Sequence, residues 1–178
     1  MVGMPLVMIL MAGMPGSGKS TVARGLGAAF DIPVIDKDVL LGSLLSSGIV
    51  EDQAQSASYD LLFAMATDLV VGQGVSVVLD SPGGTVFIVD SAERVCRNGG
   101  AKLIPVLCSV DRGIRNERVA SRTPTAAQPM GVSRTPGFAR QRFTHLPDDR
   151  IDLDATGPVN EVVATASASV RKRMADLA

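Results

Sequence analysis

Short apolar runs recur along the chain, and longer segments of mixed polarity separate them. The runs predict strands at 5–12, 33–36, 76–80, 103–108 and 150–154. Most of these runs are continuously hydrophobic, which is typical of strands that are covered on both faces of a sheet. The segments between them predict helices at about 18–29, 38–47, 54–72, 86–98, 111–122 and 159–176. This alternation predicts an α/β fold, a five-stranded parallel sheet flanked by helices.

Composition narrows the class of protein. The chain has 178 residues, of which 46% are hydrophobic, and this length predicts a single domain over residues 1–178. The 17 basic and 18 acidic residues nearly cancel, which argues against nucleic acid as a partner. The two cysteines lack a CxxC spacing, and no apolar run reaches the roughly 18 residues of a membrane span. We therefore expect a cytoplasmic protein with no membrane segment.

A glycine-rich loop directly follows the first predicted strand. Residues 13–21 read GMPGSGKST and match the pattern G-x-x-x-x-G-K-[ST]. Glycines in such a loop let backbone N–H groups point at phosphate oxygens, and the start of the next helix adds its dipole. We expect Lys19 to reach the β- and γ-phosphates and the Ser20 hydroxyl to ligate Mg²⁺. The predicted nucleotide-binding residues are Gly13, Met14, Pro15, Gly16, Ser17, Gly18, Lys19, Ser20 and Thr21.

Three aspartates lie where predicted strands end. Asp36 ends the second strand, Asp38 follows it two residues later, and Asp80 ends the third. Ligands bind at this carboxyl edge in open α/β sheets. Phosphoryl transfer to an alcohol needs a carboxylate near the hydroxyl, and Mg²⁺ needs acids around it. We therefore predict that Asp38 is catalytic and that Asp36 and Asp80 hold the metal. The alternative is a helix N-cap and a surface acid for the pair, and a turn residue for Asp80.

A basic segment follows the fourth predicted strand. Arg115, Arg118 and Arg122 are spaced i, i+3 and i+7, which places them on one helix face. Such charges repel unless they face an anion or solvent, so Arg118 and Arg122 are candidates for stabilising the transferred phosphoryl group. Residues 123–142 contain three prolines and three arginines and predict an Arg/Pro-rich lid. An exposed basic face and a disordered insertion are the alternatives.

Taken together, these motifs resemble the small P-loop kinases of the shikimate kinase, gluconate kinase, chloramphenicol phosphotransferase and zeta-toxin-like group, and small kinases described as AAA-type ATP-binding domains. The likeness rests on GMPGSGKST, VIDKD at 34–38, VVLDSP at 77–82 and RVASR at 118–122. It implies a P-loop NTPase fold, ATP and Mg²⁺ as cofactors, and a small-molecule hydroxyl acceptor with Asp38 in the position of the base. The chain departs from the pattern at 82–90, which contain no arginine.

The predicted function is ATP- and Mg²⁺-dependent transfer of the γ-phosphoryl group to a sugar, an antibiotic or a related metabolite. Three alternatives stay open: a GTPase or ATPase switch, a nucleoside or polynucleotide-end kinase, and a non-catalytic nucleotide-binding regulator. Residues 80–83 read DSPG and fit the D-x-x-G pattern of GTPases, whereas 108–111 read CSVD and supply only the last acid of the guanine-binding N-K-x-D motif. Residues 39–72 contain no cluster that identifies the acceptor.

Overall fold

Strands and helices alternate along the chain. The computed structural model describes residues 5–123, 125, 127 and 143–177. The strands are β1 Val7–Ala12, β2 Val34–Asp36, β3 Val77–Asp80, β4 Lys102–Ser109 and β5 Ile151–Asp154. The helices are α1 Lys19–Phe30, α2 Lys37–Ser46, α3 Glu51–Thr67, α4 Val86–Gly99, α5 Arg112–Ala120 and α6 Val159–Asp176. A π-helical turn, Asp68–Gly72, continues α3.

The five strands form one parallel sheet in the order β2-β3-β1-β4-β5. Each neighbouring pair is parallel, so the predicted five-stranded parallel sheet is confirmed. The central strand β1 is buried along its whole length. Its residues are continuously apolar because helices cover both faces of the sheet, as the sequence indicated.

Side chains of β1 alternate between two hydrophobic cores. Val7, Ile9 and Met11 pack with residues of α1 and α6 on one face, whereas Met8 and Leu10 pack with α3 and α4 on the other. Each fully buried aliphatic side chain of this size contributes about 1.5–3 kcal/mol. This two-sided burial fixes the position of the chain at the end of β1, where the glycine-rich loop begins.

The register of the sheet brings its carboxyl ends level. Met11 of β1 lies opposite Asp80 of β3, and Asp80 lies opposite Asp36 of β2. The carboxyl ends of three neighbouring strands therefore meet at one edge of the sheet, next to the glycine-rich loop.

Most boundaries differ from the sequence predictions by one or two residues, the start of α3 differs by three, and one predicted segment lies mostly outside the described residues. Helix α3 begins at Glu51 rather than at about 54, because Glu51 and Asp52 are favoured near the positive end of a helix dipole. The helix predicted at 111–122 ends at Ala120. Of the predicted lid at 123–142, only residues 123, 125 and 127 are described. None of the helices within the described ranges is long and apolar enough to cross a membrane.

Candidate active site

The glycine-rich loop joins β1 to α1 in a conformation that only glycine adopts easily. Gly16 and Gly18 have φ angles of 82° and 85°. A Cβ atom at Gly16 would lie 2.8 Å from the backbone oxygen of Arg115. The loop therefore packs directly against α5, and bare backbone is required there both by the neighbouring helix and by the predicted approach of a phosphate. Helix α1 begins at Lys19, directly after the turn.

A cavity of about 600 Å³ lies above this loop. Its wall contains nine of the predicted site residues: Gly16, Gly18, Lys19, Ser20, Thr21, Asp36, Asp38, Arg118 and Arg122. Arg24, Val39 and Gly42, with Thr125 and Ala127, complete the wall. The structure therefore brings the P-loop lysine and serine, the two acids at the end of β2 and two arginines of the basic segment to one space.

Other predicted residues do not line this cavity. Gly13 and Ser17 are buried within the loop, and Pro15 is exposed. The Gly13 amide donates to the Pro82 carbonyl at 3.2 Å, so it supports the loop from the neighbouring β3–α4 connection. These residues shape the cradle instead of facing its open side. Met14 is half-buried, and its carbonyl accepts from the Ser17 amide at 3.0 Å.

Asp80 lies behind the loop, in a nearly closed environment. It is 3% exposed, and the Ser20 side chain is near enough to favour its charged form. Burial raises the pKa of Asp80 from 3.8 to about 6, while the charge of Lys19 and the side chain of Ser20 act in the opposite direction. Its Oδ1 atom has no hydrogen-bond partner among the described residues. An orphaned carboxylate oxygen next to the P-loop serine is the kind of group that a cation or its water would satisfy.

Asp36 and Asp38 occupy different positions although they are two residues apart. Asp36 is the N-cap of α2, because its Oδ1 accepts from the Asp38 amide at 2.9 Å. Its Oδ2 lies 3.4 Å from the Arg24 guanidinium. The Asp38 carboxylate instead accepts from Lys37 Nζ at 3.1 Å. Both acids line the cavity, so Asp36 combines a helix cap with a place beside the predicted metal.

The three arginines predicted on one helix face do not share one position, and Arg122 lies two residues beyond the end of α5 at Ala120. Arg118 donates to the Ala155 carbonyl at 3.0 Å and lines the large cavity together with Arg122. Arg115 lies against the glycine loop, with its backbone oxygen beside Gly16, and is not part of that wall. The predicted common face is therefore divided, and only two of its three arginines reach the site.

A second cavity of about 160 Å³ continues from the first on the side of Arg118. Gly18, Thr21 and Arg118 belong to both walls, and the remainder is Val22, Ala155, Gly157, Val159 and Val162. This small, largely apolar space joins the N-terminal end of α1 to the β5–α6 connection.

The oxygen donors next to the glycine-rich loop, Ser20 at the large cavity and Asp80 behind the loop, fit Mg²⁺. Within the described ranges there is no cluster of three His, Cys, Asp or Glu side chains that could form a protein cage for a metal. Mg²⁺ does not need such a cage, since it keeps several waters and takes one or two protein oxygens together with phosphates. The Ser20 hydroxyl and the orphaned oxygen of Asp80 supply oxygens of this kind.

Several residues of the site were not anticipated from the sequence. Lys37 stands between the two predicted acids and is buried, and Arg24 lies one turn along α1 from Lys19 and Ser20. The sequence D-K-D could have indicated Lys37, because its positive charge stands directly between the two predicted acids. The wall of the second cavity gave no signal, because Ala155 and Gly157 come from a connection far along the chain.

The similarity of this chain to known proteins agrees with the fold and with the geometry of the candidate site. The family model described as an AAA domain matches residues 8–147, and the chain belongs to this family. The shikimate kinase of Mycobacterium marinum is 28% identical over 120 residues, which cover 58% of this chain and 65% of that protein. The chain thus spans less than two thirds of the length of this relative. The shikimate kinase of Mycobacterium tuberculosis (strain CDC 1551 / Oshkosh) is 28% identical over 120 residues, which cover 58% of this chain and 68% of that protein.

Solved structures share the fold over nearly the whole chain. A gluconokinase from Sinorhizobium meliloti superposes with a TM-score of 0.62 at 21% identity, covering 98% of this chain and 96% of its own. The shikimate kinase of Aquifex aeolicus superposes with a TM-score of 0.62 at 17% identity. The match covers 94% of this chain and 98% of that one. The APS kinase of Mycobacterium tuberculosis, in complex with AMPPNP and APS, superposes with a TM-score of 0.62 at 17% identity. The match covers 95% of this chain and 99% of that one. The resemblance to small P-loop kinases that the motifs indicated is confirmed, and so is the P-loop fold.

Proposed function

We propose that this member of the AAA domain family is an ATP- and Mg²⁺-dependent phosphotransferase that acts on a hydroxyl group of a small molecule. The observation that carries the proposal is the cavity of about 600 Å³ whose wall holds Lys19, Ser20 and Asp38 together. A phosphate cradle and a carboxylate that face the same space are what transfer to an alcohol requires.

The nucleotide is proposed to occupy both cavities. Backbone amides of the glycine loop and the Lys19 ammonium would hold the β- and γ-phosphates. The smaller cavity, about 160 Å³ and lined by Val22, Val159 and Val162, suits the flat apolar faces of a base. Arg118 belongs to both walls, so we propose that it contacts the nucleotide between base and phosphates, and that Arg122 stabilises the transferred group.

Ser20 and Asp80 are proposed to hold the metal, with Asp36 nearby. When bound, Mg²⁺ neutralises charge on the β- and γ-phosphate oxygens. Ser20 would supply its hydroxyl oxygen, and Asp80 would hold a metal-bound water or the ion itself through the oxygen that is orphaned within the described residues. Asp36 retains its place as helix cap and would act at longer range.

Asp38 is proposed to be the general base. The acceptor hydroxyl would give its proton to the Asp38 carboxylate while its oxygen forms a bond to the γ-phosphorus. The bond from the γ-phosphorus to the β,γ-bridging oxygen breaks, and ADP leaves with that electron pair. Lys19 and Arg122, which line the same cavity, would stabilise the charge on the transferred group.

The acceptor is proposed to be a polyhydroxylated metabolite such as a sugar or a sugar acid. The cavity of about 600 Å³ lies within the range of about 300–1,000 Å³ that is usual for small-ligand sites. Relatives of this chain are named for shikimate and gluconate, which makes polyols the first class to test. The switch alternative gains no support from Gly83, the glycine of the D-x-x-G pattern, because Gly83 is buried against Ala12 and Met11.

The experiment is a panel of acceptors that includes shikimate, gluconate and simple sugars, each measured as ADP release above the rate in water. The Asp38→Asn variant is then compared with the wild type on the best acceptor, and Asp60→Asn, on the exposed face of α3, is the matched control. We expect Asp38→Asn to lower kcat by about 10²–10⁴-fold without changing ATP affinity. A strong preference for GTP, with full turnover in Asp38→Asn, would overturn the proposal.

A further inference from the structure

A buried lysine lies directly beside the predicted base. Lys37 is 5% exposed although it is the first residue of α2. Its Nζ lies 3.1 Å from Asp38 Oδ1 and 3.3 Å from Gln55 Oε1. The same nitrogen lies 5.4 Å from the centroid of the Tyr59 ring. Three side chains from α2 and α3 therefore surround one ammonium group.

This position is costly for a cation. Burying an ammonium group is strongly unfavourable unless it is paired and hydrogen-bonded. The N-terminus of a helix is also the positive end of its dipole, where acids are favoured and lysines are not. The helix itself therefore does not favour a lysine at this position, and the cost of burying the ammonium group is offset by its two partners, Asp38 and Gln55.

We infer that Lys37 is a positioning residue for Asp38, an inference that rests on the proposed function. The Asp38 backbone amide is fixed by Asp36, and its Oδ1 is fixed by Lys37. Gln55 and Tyr59 in turn hold the ammonium group from α3. The carboxylate is thereby kept in one orientation at the cavity wall before an acceptor arrives. Preorganisation of this kind matters because a misplacement of about 1 Å can lower a rate by about 10²-fold.

The test removes the charge while keeping the volume. Lys37→Met and the charge-retaining Lys37→Arg are made in the wild type and in Asp38→Asn. Lys102→Met, at the exposed first residue of β4, is the matched control. kcat and KM are measured for ATP and for the best acceptor of the panel. Urea unfolding midpoints are measured, without ligand, for the wild type, Lys37→Met, Asp38→Asn and the double variant. The midpoints give a readout that does not depend on turnover.

We expect Lys37→Met to lower kcat by about 10–10²-fold, with the KM for ATP unchanged and with part of the rate restored in Lys37→Arg. In the Asp38→Asn background the same substitution should leave kcat unchanged, because the oxygen that Lys37 holds has lost its function as a base. The unfolding midpoints should be non-additive, since the two side chains are in contact.

The outcomes separate this inference from the proposed function. If Asp38→Asn keeps full activity, the proposed base is wrong, and the inference loses its premise. If Asp38→Asn loses activity but Lys37→Met does not, or if Lys37→Met costs the same factor in both backgrounds, only the inference is overturned. Should Lys37→Met fail to fold, Gln55→Leu removes one partner of the ammonium group and retains its charge. It should lower kcat only where Asp38 is present, and an equal loss in both backgrounds would refute the positioning role.

Discussion

Asp80 carries the most sharply perturbed carboxyl group of the site, and its replacement by asparagine tests both its burial and its proposed metal role. Asp80 ends β3 and is 3% exposed. Burial raises its pKa from 3.8 to about 6, with smaller contributions in the same direction from Asp36 and Asp38. The Asp80→Asn substitution keeps the shape of the side chain and removes its charge.

The magnitude follows from the two pKa values. A tenfold change in proton affinity corresponds to about 1.4 kcal/mol, so an increase from 3.8 to about 6 corresponds to about 3 kcal/mol. The folded protein holds the Asp80 proton more tightly than the unfolded chain does. Between about pH 4 and pH 6 the native state therefore binds more protons, and this group lowers the free energy of unfolding as pH rises. Its stabilising contribution is complete below about pH 4 and lost above about pH 7.

The assay is urea unfolding of the unliganded wild type and of Asp80→Asn at several values between about pH 4 and pH 8. The stability advantage of the variant should grow from near zero at the acid end to about 3 kcal/mol at the alkaline end. The exposed Asp60→Asn control should show no such growth. A difference between Asp80→Asn and the wild type that stays constant with pH would refute the proposed burial cost.

The same pair of proteins tests the metal role. The increase in stability with AMPPNP should depend on added Mg²⁺ in the wild type, because the cation neutralises the buried carboxylate. In Asp80→Asn this dependence should be much smaller. Equal dependence in both proteins would remove Asp80 from the metal site.

Two further predictions concern the glycine loop. Lys19→Ala should leave the far-ultraviolet circular dichroism spectrum unchanged and nearly abolish turnover, since the ammonium group acts where phosphate charge develops in a closed site; substantial turnover in the folded variant would exclude the proposed cradle. Gly16→Ala should lower the free energy of unfolding by about 2–4 kcal/mol, because its Cβ would lie 2.8 Å from the Arg115 carbonyl at a φ of 82°. Gly48→Ala, also at positive φ but with open space around it, isolates the effect of φ, and an equal loss in both variants would contradict the packing argument.

Local patterns determined most of what could be predicted about the fold. The strands β1, β3 and β4 were predicted because each contains a continuous apolar run, which is the mark of burial on both faces. The edge strand β5 reads IDLD, and its alternation of apolar and acidic residues is typical of a strand with one covered face. The start of α3 was missed by three residues. Its first turn contains Glu51 and Asp52, whose contribution is electrostatic and leaves no hydrophobic period to read.

The candidate site was predictable where its proposed residues lie in one short segment. The glycine loop is contiguous, and Asp36 and Asp80 could be placed together because parallel strands end at one edge of a sheet. The contact of Lys37 with Gln55 joins residues 18 apart on two helices. The contact of Arg118 with Ala155 joins residues 37 apart. Both depend on how helices and connections pack, which no local pattern specifies.

The D-K-D segment illustrates how one turn of backbone gives two identical acids different roles. Asp36 still belongs to the strand, with extended backbone angles, and its carboxylate is the cap of α2. Asp38 is already inside the first turn of the helix, so its backbone amide donates to the capping carboxylate of Asp36. Asp36 has both carboxylate oxygens engaged, Oδ1 by the Asp38 amide and Oδ2 by the Arg24 guanidinium at 3.4 Å, and is therefore poorly placed to accept a proton from an acceptor. The acid two residues later is held by a buried cation at the cavity wall. The order of the two residues along the chain, rather than their chemistry, therefore favours Asp38 over Asp36 as the base.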